Sequence, residues 1–421
     1  MSDTANVHQL VDHFFRHEHG KLVAVLTRVF GLHNLDLVDD VVQAALLQAL
    51  ETWKIHGVPE HPAAWMYRVA RNKALDAIRH RDVADRLNPE WTWLTESTTP
   101  PLDIDRLFLS HEIADSQLRM IFTCCHPDLP AESQIALTLK TLCGFGNSEI
   151  ERALLTSEAN VKKRIARAKR KFADAEINFE VPAGDALRAR LSAVHTVLYL
   201  LFNEGYSSSQ PHELIRRDLC EEAIRLCLLL YQHPSSTNPE SAALLALMLL
   251  HASRFDTRLD KDGNILLLEE QDRARWNRDL ISRGLHYLSE SASGDRLSRY
   301  HLEAAIAAQH SLAPSFAETN WLVIVSLYDD LIRIHPSPIY ELNRAIAVAQ
   351  VSGPDAGISA IQEIKGESLD DYHLLHATLG ELHRRAGRSE EARHCFKRAM
   401  ECTVSPSERR LLQRKLRESD I

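Results

Sequence analysis

Between Val161 and Lys171 the chain places Lys162, Lys163, Arg164, Arg167, Lys169, Arg170 and Lys171 without a single acid among them. Cations this dense on one short segment neutralise phosphates, by charge and by the guanidinium fork. A second group, His61, Trp65, Arg68, Arg71, Asn72, Lys73 and Arg79, mixes an aromatic ring, an amide and cations. A third group, Asp39, Asp40, Val42, Gln43 and Leu46, sets two carboxylates and an amide beside an apolar stripe, although the acids also suit the first turns of a helix. No nucleophile and base pair up in the sequence, and no phosphate-cradling glycine loop or full metal set occurs. We therefore expect no catalytic residue, no cofactor and no metal site.

The elements that must position these groups read as helices throughout, so the expected fold class is all-α. Apolar residues recur at intervals of three and four, as in Leu22, Val25, Leu26 and Val29, or Val38, Val41, Val42, Ala45, Leu46 and Ala49. Asn147 to Leu155 reads as a short helix, Thr156-Ser157 as a turn and Glu158 to Phe172 as a second helix, which is helix-turn-helix spacing. On the second helix Val161 and Ile165 are expected to face the first. Asn160, Lys162, Lys163, Arg164, Ala166, Arg167, Lys169 and Arg170 are then the residues expected to meet DNA, early ones at base edges and flanking cations on phosphates. The competing reading is a cationic helix that is only a solvated face.

The organisation expected from punctuation is a helical block over residues 1–85, a linker over 86–115 with Pro100-Pro101, a second block over 116–180, and a helical remainder over 185–421. A chain of 421 residues is long enough for two or three domains. The apolar runs, such as Ala242 to Leu250, fall well short of the ~20 residues that cross a bilayer, so no membrane contact is expected. The start, MSDTANVHQL, does not read as a secretory signal. Seven cysteines, an odd number scattered among helical patterns, point to reduced thiols and a cytoplasmic protein. The net charge of −9 argues against nucleic-acid binding only if averaged, because the cations are concentrated in one helix.

Two stretches carry a resemblance. Asp39 to Trp53, followed by His61 to Arg79 with the pattern Trp-x-x-Arg-x-Ala-Arg-Asn-x-x-x-Asp, resembles domain two of extracytoplasmic-function sigma factors of the sigma-70 family. Gly144 to Ile150 together with Val161 to Arg170 resembles domain four, and the two follow in family order over about the first 180 residues. No segment resembles the middle sigma domain. The resemblance implies a sigma-two bundle that holds core RNA polymerase through Asp39, Asp40, Val42, Gln43 and Leu46. It implies minus-ten recognition and melting through His61, Trp65, Arg68, Arg71, Asn72, Lys73 and Arg79, and minus-thirty-five recognition by the helix-turn-helix. Departures are Ala44, where an acid is common, and Gly146-Asn147 before the first reader helix. The expected function is an alternative sigma factor directing promoter-specific initiation on promoter DNA. A helix-turn-helix regulator with a sensing repeat domain, and a repeat-domain adaptor with an incidental basic helix, are the rival readings.

In the remainder, Leu379, Gly380, Ala392, Phe396 and Ala399 fall at the positions of a tetratricopeptide-like repeat, and Tyr340 to Ala345 looks like the start of a degenerate preceding unit. This extension is expected to regulate the front half in cis or to strengthen polymerase binding. Gln271, Asp272, Arg273 and Trp276 belong to a polar stretch similar to one in the extension of a sigma-factor subgroup. Two readings of it stand: a contact with the front domains or a ligand, or an internal salt-bridge network with Trp276 in the core. Arg258 to Glu269 matches part of a calcium loop, but Arg258 occupies its first position, so Asp262-Gly263-Asn264 is read as a turn. Cys124, Cys125 and Cys143 are read as buried free thiols.

Overall fold

The structure, a computed structural model, describes residues 2–87, 104–154, 156–174, 177–207, 214–294, 296–364 and 369–419. Among the described residues every regular element is helical apart from one antiparallel bridge between Leu259 and Ile265. The chain forms two compact units, Met1–Leu201 and Phe202–Ile421.

The first unit contains α1 (Ser2–Phe30), a 3-10 turn (Leu32–Asn34), α2 (Leu35–His56), α3 (Pro62–Leu87), α4 (Ile104–Leu107), α5 (Ser110–Cys124), α6 (Ala131–Thr141), α7 (Asn147–Ala153) and α8 (Glu158–Asp174). It also holds most of α9 (Gly184–Tyr206). Gly31 and Gly57 stop α1 and α2 with positive φ, a conformation that other residues adopt only under strain. Five consecutive residues of α1, Leu22 to Leu26, are fully buried. A helix buried on every side has neighbours all round it. Here α1 packs on α2 and α3 of the front block and on α5 and α6 of the second. Its Val25 shares a cluster with Leu107 and Ile113, and Arg28 bonds Glu112 at 2.7 Å. Gly20 lets the backbones meet, because a Cβ there would sit 2.0 Å from the Leu142 carbonyl oxygen.

The sequence suggests two blocks separated by a linker, whereas the structure gives the two blocks one shared core with α1 at its centre. The Pro100-Pro101 part of the expected linker lies outside the described residues. Its later part is ordered, as α4 and the first turns of α5.

The second unit runs through α10 (Arg217–Gln232), α11 (Pro239–Ala252), α12 (Arg278–Ser291), α13 (Arg299–Leu312), α14 (Trp321–Ile334), α15 (Pro338–Ser352), α16 (Pro354–Gln362), α17 (His373–Arg385), α18 (Ser389–Cys402) and α19 (Pro406–Glu418). Two 3-10 turns, Phe255–Thr257 and Arg273–Arg275, lie between α11 and α12. Apolar and small residues cover α11 on all sides, and it packs on α10, α12 and α13. After it the helices stack as sequential neighbours. In the α17/α18 hairpin a Cβ on Gly380 would meet the Phe396 ring at 2.7 Å, so the glycine is what lets Phe396 close the groove, with Ala392 and Ala399 fully buried beside it. The preceding hairpin, α15/α16, uses Gly357 against Ala349 in the same way. The Asp262-Gly263-Asn264 segment is a turn closed by the Asp260 carboxylate, which accepts from the Asp262 and Asn264 backbone N–H groups at 2.9 and 2.8 Å.

Candidate nucleic-acid and protein interfaces

The cationic helix α8 is seated by one apolar seam. Val161, Ile165, Ala168 and Phe172, at intervals of four, three and four, are buried against α6 and α7. Everything that alternates with them is turned outward or to the flank, and Asn160, Lys162, Lys163, Ala166, Arg167 and Arg170 are exposed. Gly146 caps α7, and the Glu149 carboxylate accepts its backbone N–H at 2.7 Å. Gly146 therefore leaves α7 without a side-chain cap but keeps the reciprocal bond.

Ion pairs divide the cations of α8 into two sets. Lys162 reaches Glu158 at 2.7 Å, Arg164 reaches Glu132 at 2.5 Å, and Lys171 reaches Asp128 at 3.6 Å. Lys169 is held by both Asp36 at 2.8 Å and Asp39 at 2.6 Å on α2. Burial disfavours its charge, but the Asp39 and Asp36 carboxylates outweigh that and raise its pKa. Lys163, Arg167 and Arg170 have no ion pair among the described residues. Spaced at four and three, they form one arc of free cations on the outer face. Two of the residues expected on DNA are thus turned elsewhere here: Arg164 packs at the flank with Glu132, and Lys169, only 18% exposed, is bound to α2.

On α3 the expected base-holding residues share a face. His61, Arg68, Asn72 and Arg79 are exposed, Trp65 is half-buried with them, and Arg71 and Lys73 lie at the borders. Trp65 rests on Trp53 with ring centroids 5.5 Å apart, and Trp53 in turn packs on Phe14 and Phe15. One edge of Trp65 belongs to an aromatic cluster while the other meets solvent. Arg79 is tied to Asp76 at 3.3 Å.

On α2 the expected partner face needs one correction. Val42 is fully buried, because with Val38, Val41, Ala45 and Ala49 it forms the stripe that seats the helix on the bundle. It positions the neighbouring side chains and presents nothing outward. Asp40 and Gln43 are exposed, and Asp39 and Leu46 are half-buried. The residues that sequence reasoning missed are Leu47 and Leu50, 57% and 44% exposed, which continue the line of Asp40 and Gln43 at intervals of three and four. The signal was present in that spacing.

Gln271 and Arg273 sit in or beside the turn before α12 and point into the second unit, with Trp276 only 2% exposed. Asp272 caps that turn by accepting the Ala274 N–H at 3.0 Å. Arg273 bonds carbonyls and a hydroxyl, so the expected salt bridges are not its partners. Cys124, Cys125 and Cys143 are buried thiols outside any disulfide, and burial pushes the Cys124 thiol up to about 12. Among the described residues no cluster of His, Cys, Asp or Glu could hold a metal ion, and no helix is long and apolar enough to cross a membrane.

Three family matches follow the same division. Residues 14–83 match Sigma-70 region 2, residues 119–172 match Sigma-70 region 4, and residues 190–292 match a family of unknown function, DUF6596. A protein of Rhizobium meliloti (strain 1021), named "Uncharacterized protein R00370", is 40% identical over 387 residues, covering 92% of this chain and 90% of its own. No solved structure matches.

Proposed function

The chain belongs to the sigma-70 family, with the two regions of an extracytoplasmic-function type and an additional helical extension, and from that premise we propose how its surfaces divide the work of transcription initiation. The family role is RNA polymerase-directed initiation, and membership brings interaction with polymerase and promoter DNA. The finer assignment is ours. The outward face of α2, with Asp39, Asp40, Gln43 and Leu46 extended by Leu47 and Leu50, docks on core polymerase. Exposed leucines ringed by carboxylates and an amide are what a specific protein interface offers.

The face of α3 then holds the minus-ten strand as it opens, with Trp65 stacking on an extruded base and Arg68, Arg71, Lys73 and Arg79 along the backbone. The arc of α8 lies in the major groove of the minus-thirty-five element, with Asn160, Lys162 and Ala166 toward base edges. Three cations with no carboxylate partner among the described residues, on a helix whose other cations are ion-paired, are the observation that carries this reading. The compact first unit is the resting form, since Asp39 cannot meet polymerase while it holds Lys169. The helical extension modulates that front half in cis, and the protein works where polymerase and chromosome are, in the cytoplasm.

Two experiments test the division. Leu47→Ser with Leu50→Ser is expected to weaken core polymerase binding at least tenfold while leaving duplex binding intact, and unchanged polymerase affinity would remove α2 from the reading. Ending the chain at Ser207, which keeps α9 whole, is expected to change promoter-specific transcript yield. Equal yield would refute control in cis.

A further inference from the structure

Three guanidinium groups of the second unit converge on two aromatic rings, with no carboxylate bonded to them among the described residues. Arg258 lies 3.8 Å over the Tyr206 ring and Arg254 5.9 Å from it, while Arg254 and Arg273 lie 5.7 and 5.1 Å from the Trp276 ring. Their hydrogen-bond partners are hydroxyls and backbone carbonyls. Arg254 donates to the Tyr206 hydroxyl and Arg258 to the Tyr206 carbonyl. Arg273 donates to the carbonyls of His310 at 2.6 Å and Ala313 at 2.8 Å and to the Thr319 hydroxyl at 3.1 Å.

Several other arginines of the unit hold a carboxylate instead. Arg217 reaches Asp256 at 2.6 Å, Arg225 reaches Glu222 at 2.5 Å, Arg344 reaches Asp329 at 2.5 Å and Arg388 reaches Asp355 at 2.6 Å. Among the described residues Arg254, Arg258 and Arg273 have no such partner. Arg273 is 6% exposed, and its Nε, the Trp276 Nε1 and the His310 Nδ1 are buried with no hydrogen-bond partner. A buried charge beside two half-buried like charges is expensive without a counter-charge, and buried polar groups left without a bond add to the cost. The neighbouring histidines cannot supply relief, because an imidazole offers no negative charge. Burial, then Arg254 and Arg258, hold His251 well below its usual range, and burial, then Arg254 and Arg273, push His310 down to about 3.

We propose that this cluster is an anion site that takes a phosphate-bearing small molecule. Phosphate supplies up to two negative charges and enough acceptor oxygens to meet several guanidinium forks, which a single carboxylate cannot do. Arg254 and Arg258 are only partly buried, so the group reaches them from solvent, while Arg273 and the buried Trp276 shape the inner wall. The contributing residues come from the end of α9 (Tyr206), the end of α11 and the turn after it (His251, Arg254, Arg258), the turn before α12 (Arg273, Trp276) and α13 (His310). An occupied site therefore ties together elements that the chain delivers from four places. None of this depends on the sigma reading.

The test uses the full chain with inorganic phosphate as the probe, at ionic strength held constant with sodium chloride. The expected result is a saturable isotherm and an unfolding midpoint that rises with phosphate, as a ligand of the folded state requires. Arg254→Gln and Arg258→Gln are each expected to weaken phosphate at least tenfold, and Arg333→Gln, whose partner is Asp330, to leave it unchanged. If a glutamine variant fails to fold, Arg258→Lys keeps the charge but not the fork and is expected to weaken phosphate about fivefold. The proposal is overturned by a midpoint that responds equally to phosphate and chloride, by acetate matching phosphate, or by phosphate affinity that survives every arginine change in the cluster. It is also overturned if phosphate does not bind and a tyrosinate absorbance at neutral pH, lost in Tyr206→Phe, shows that the tyrosine supplies the anion.

Discussion

Lys169 of the cationic helix is ion-paired at 2.6 Å with Asp39 of α2, so a residue expected on DNA and a residue expected on polymerase are occupied by each other. Either expected contact requires this pair to part. Lys169→Ala is expected to strengthen core polymerase binding up to about fivefold, the range of a pair worth up to ~1 kcal/mol. Titrating core enzyme with labelled chain reads it directly. Unchanged or weaker binding would mean the pair does not guard the α2 face.

The free arc of α8 makes a quantitative statement about salt. Changing Lys163, Arg167 and Arg170 to Ala together is expected to flatten the dependence of duplex affinity on log salt by about 3, close to one for each phosphate contact removed. Anisotropy titrations across a salt series measure the slope. A slope that does not move would put the phosphate contacts elsewhere.

Gly20 sets how closely α1 meets the end of α6. A methyl group there would lie 2.0 Å from the Leu142 carbonyl oxygen, backbone that cannot swing away. Gly20→Ala is therefore expected to destabilise the first unit by about 1–3 kcal/mol, the usual cost of overpacking. Chemical denaturation followed by Trp fluorescence provides the number. A variant as stable as the parent would show that the two blocks need not pack through α1.

Buried His19 gives the first unit a pH signature. Burial is the main cause that lowers its pKa from 6.5 to about 4; Asp39 opposes the shift and Lys140 adds to it. The folded state thus refuses a proton that the unfolded chain accepts. Stability is full above pH 6.5 and falls as the pH drops from 6.5 toward 4, by a total on the order of 3 kcal/mol. His19→Gln is expected to flatten the fall in that window, measured by denaturant midpoints. A profile identical in parent and variant would contradict the assignment.

Much of the candidate site's geometry is legible in the sequence. The seam of Val161 and Ile165 put the right face of α8 outward, because the helical period alone dictates it. Gly380 and Phe396 were legible for a similar reason, since a small residue facing a ring has one packing solution in a helical hairpin. What escaped depends on residues far apart in sequence. Glu132, Asp128, Asp36 and Asp39 decide which cations of α8 are free, and no local pattern shows that pairing. Leu47 and Leu50 escaped because a leucine on an amphipathic helix is ordinarily core, and Val42 was misplaced because adjacent Val41 and Val42 can both be buried on a helix with neighbours on two sides. Arg254, Arg258 and Arg273 stand on separate turns, so their convergence belongs to the tertiary fold.

Run-off transcription with purified core polymerase, with and without the full chain, bears most directly on whether this protein places polymerase at promoters. Discrete transcripts that require the chain, and that vanish with the triple change at Lys163, Arg167 and Arg170, are the expected outcome. A chain that binds promoter duplex but neither joins core enzyme nor yields a transcript would contradict it.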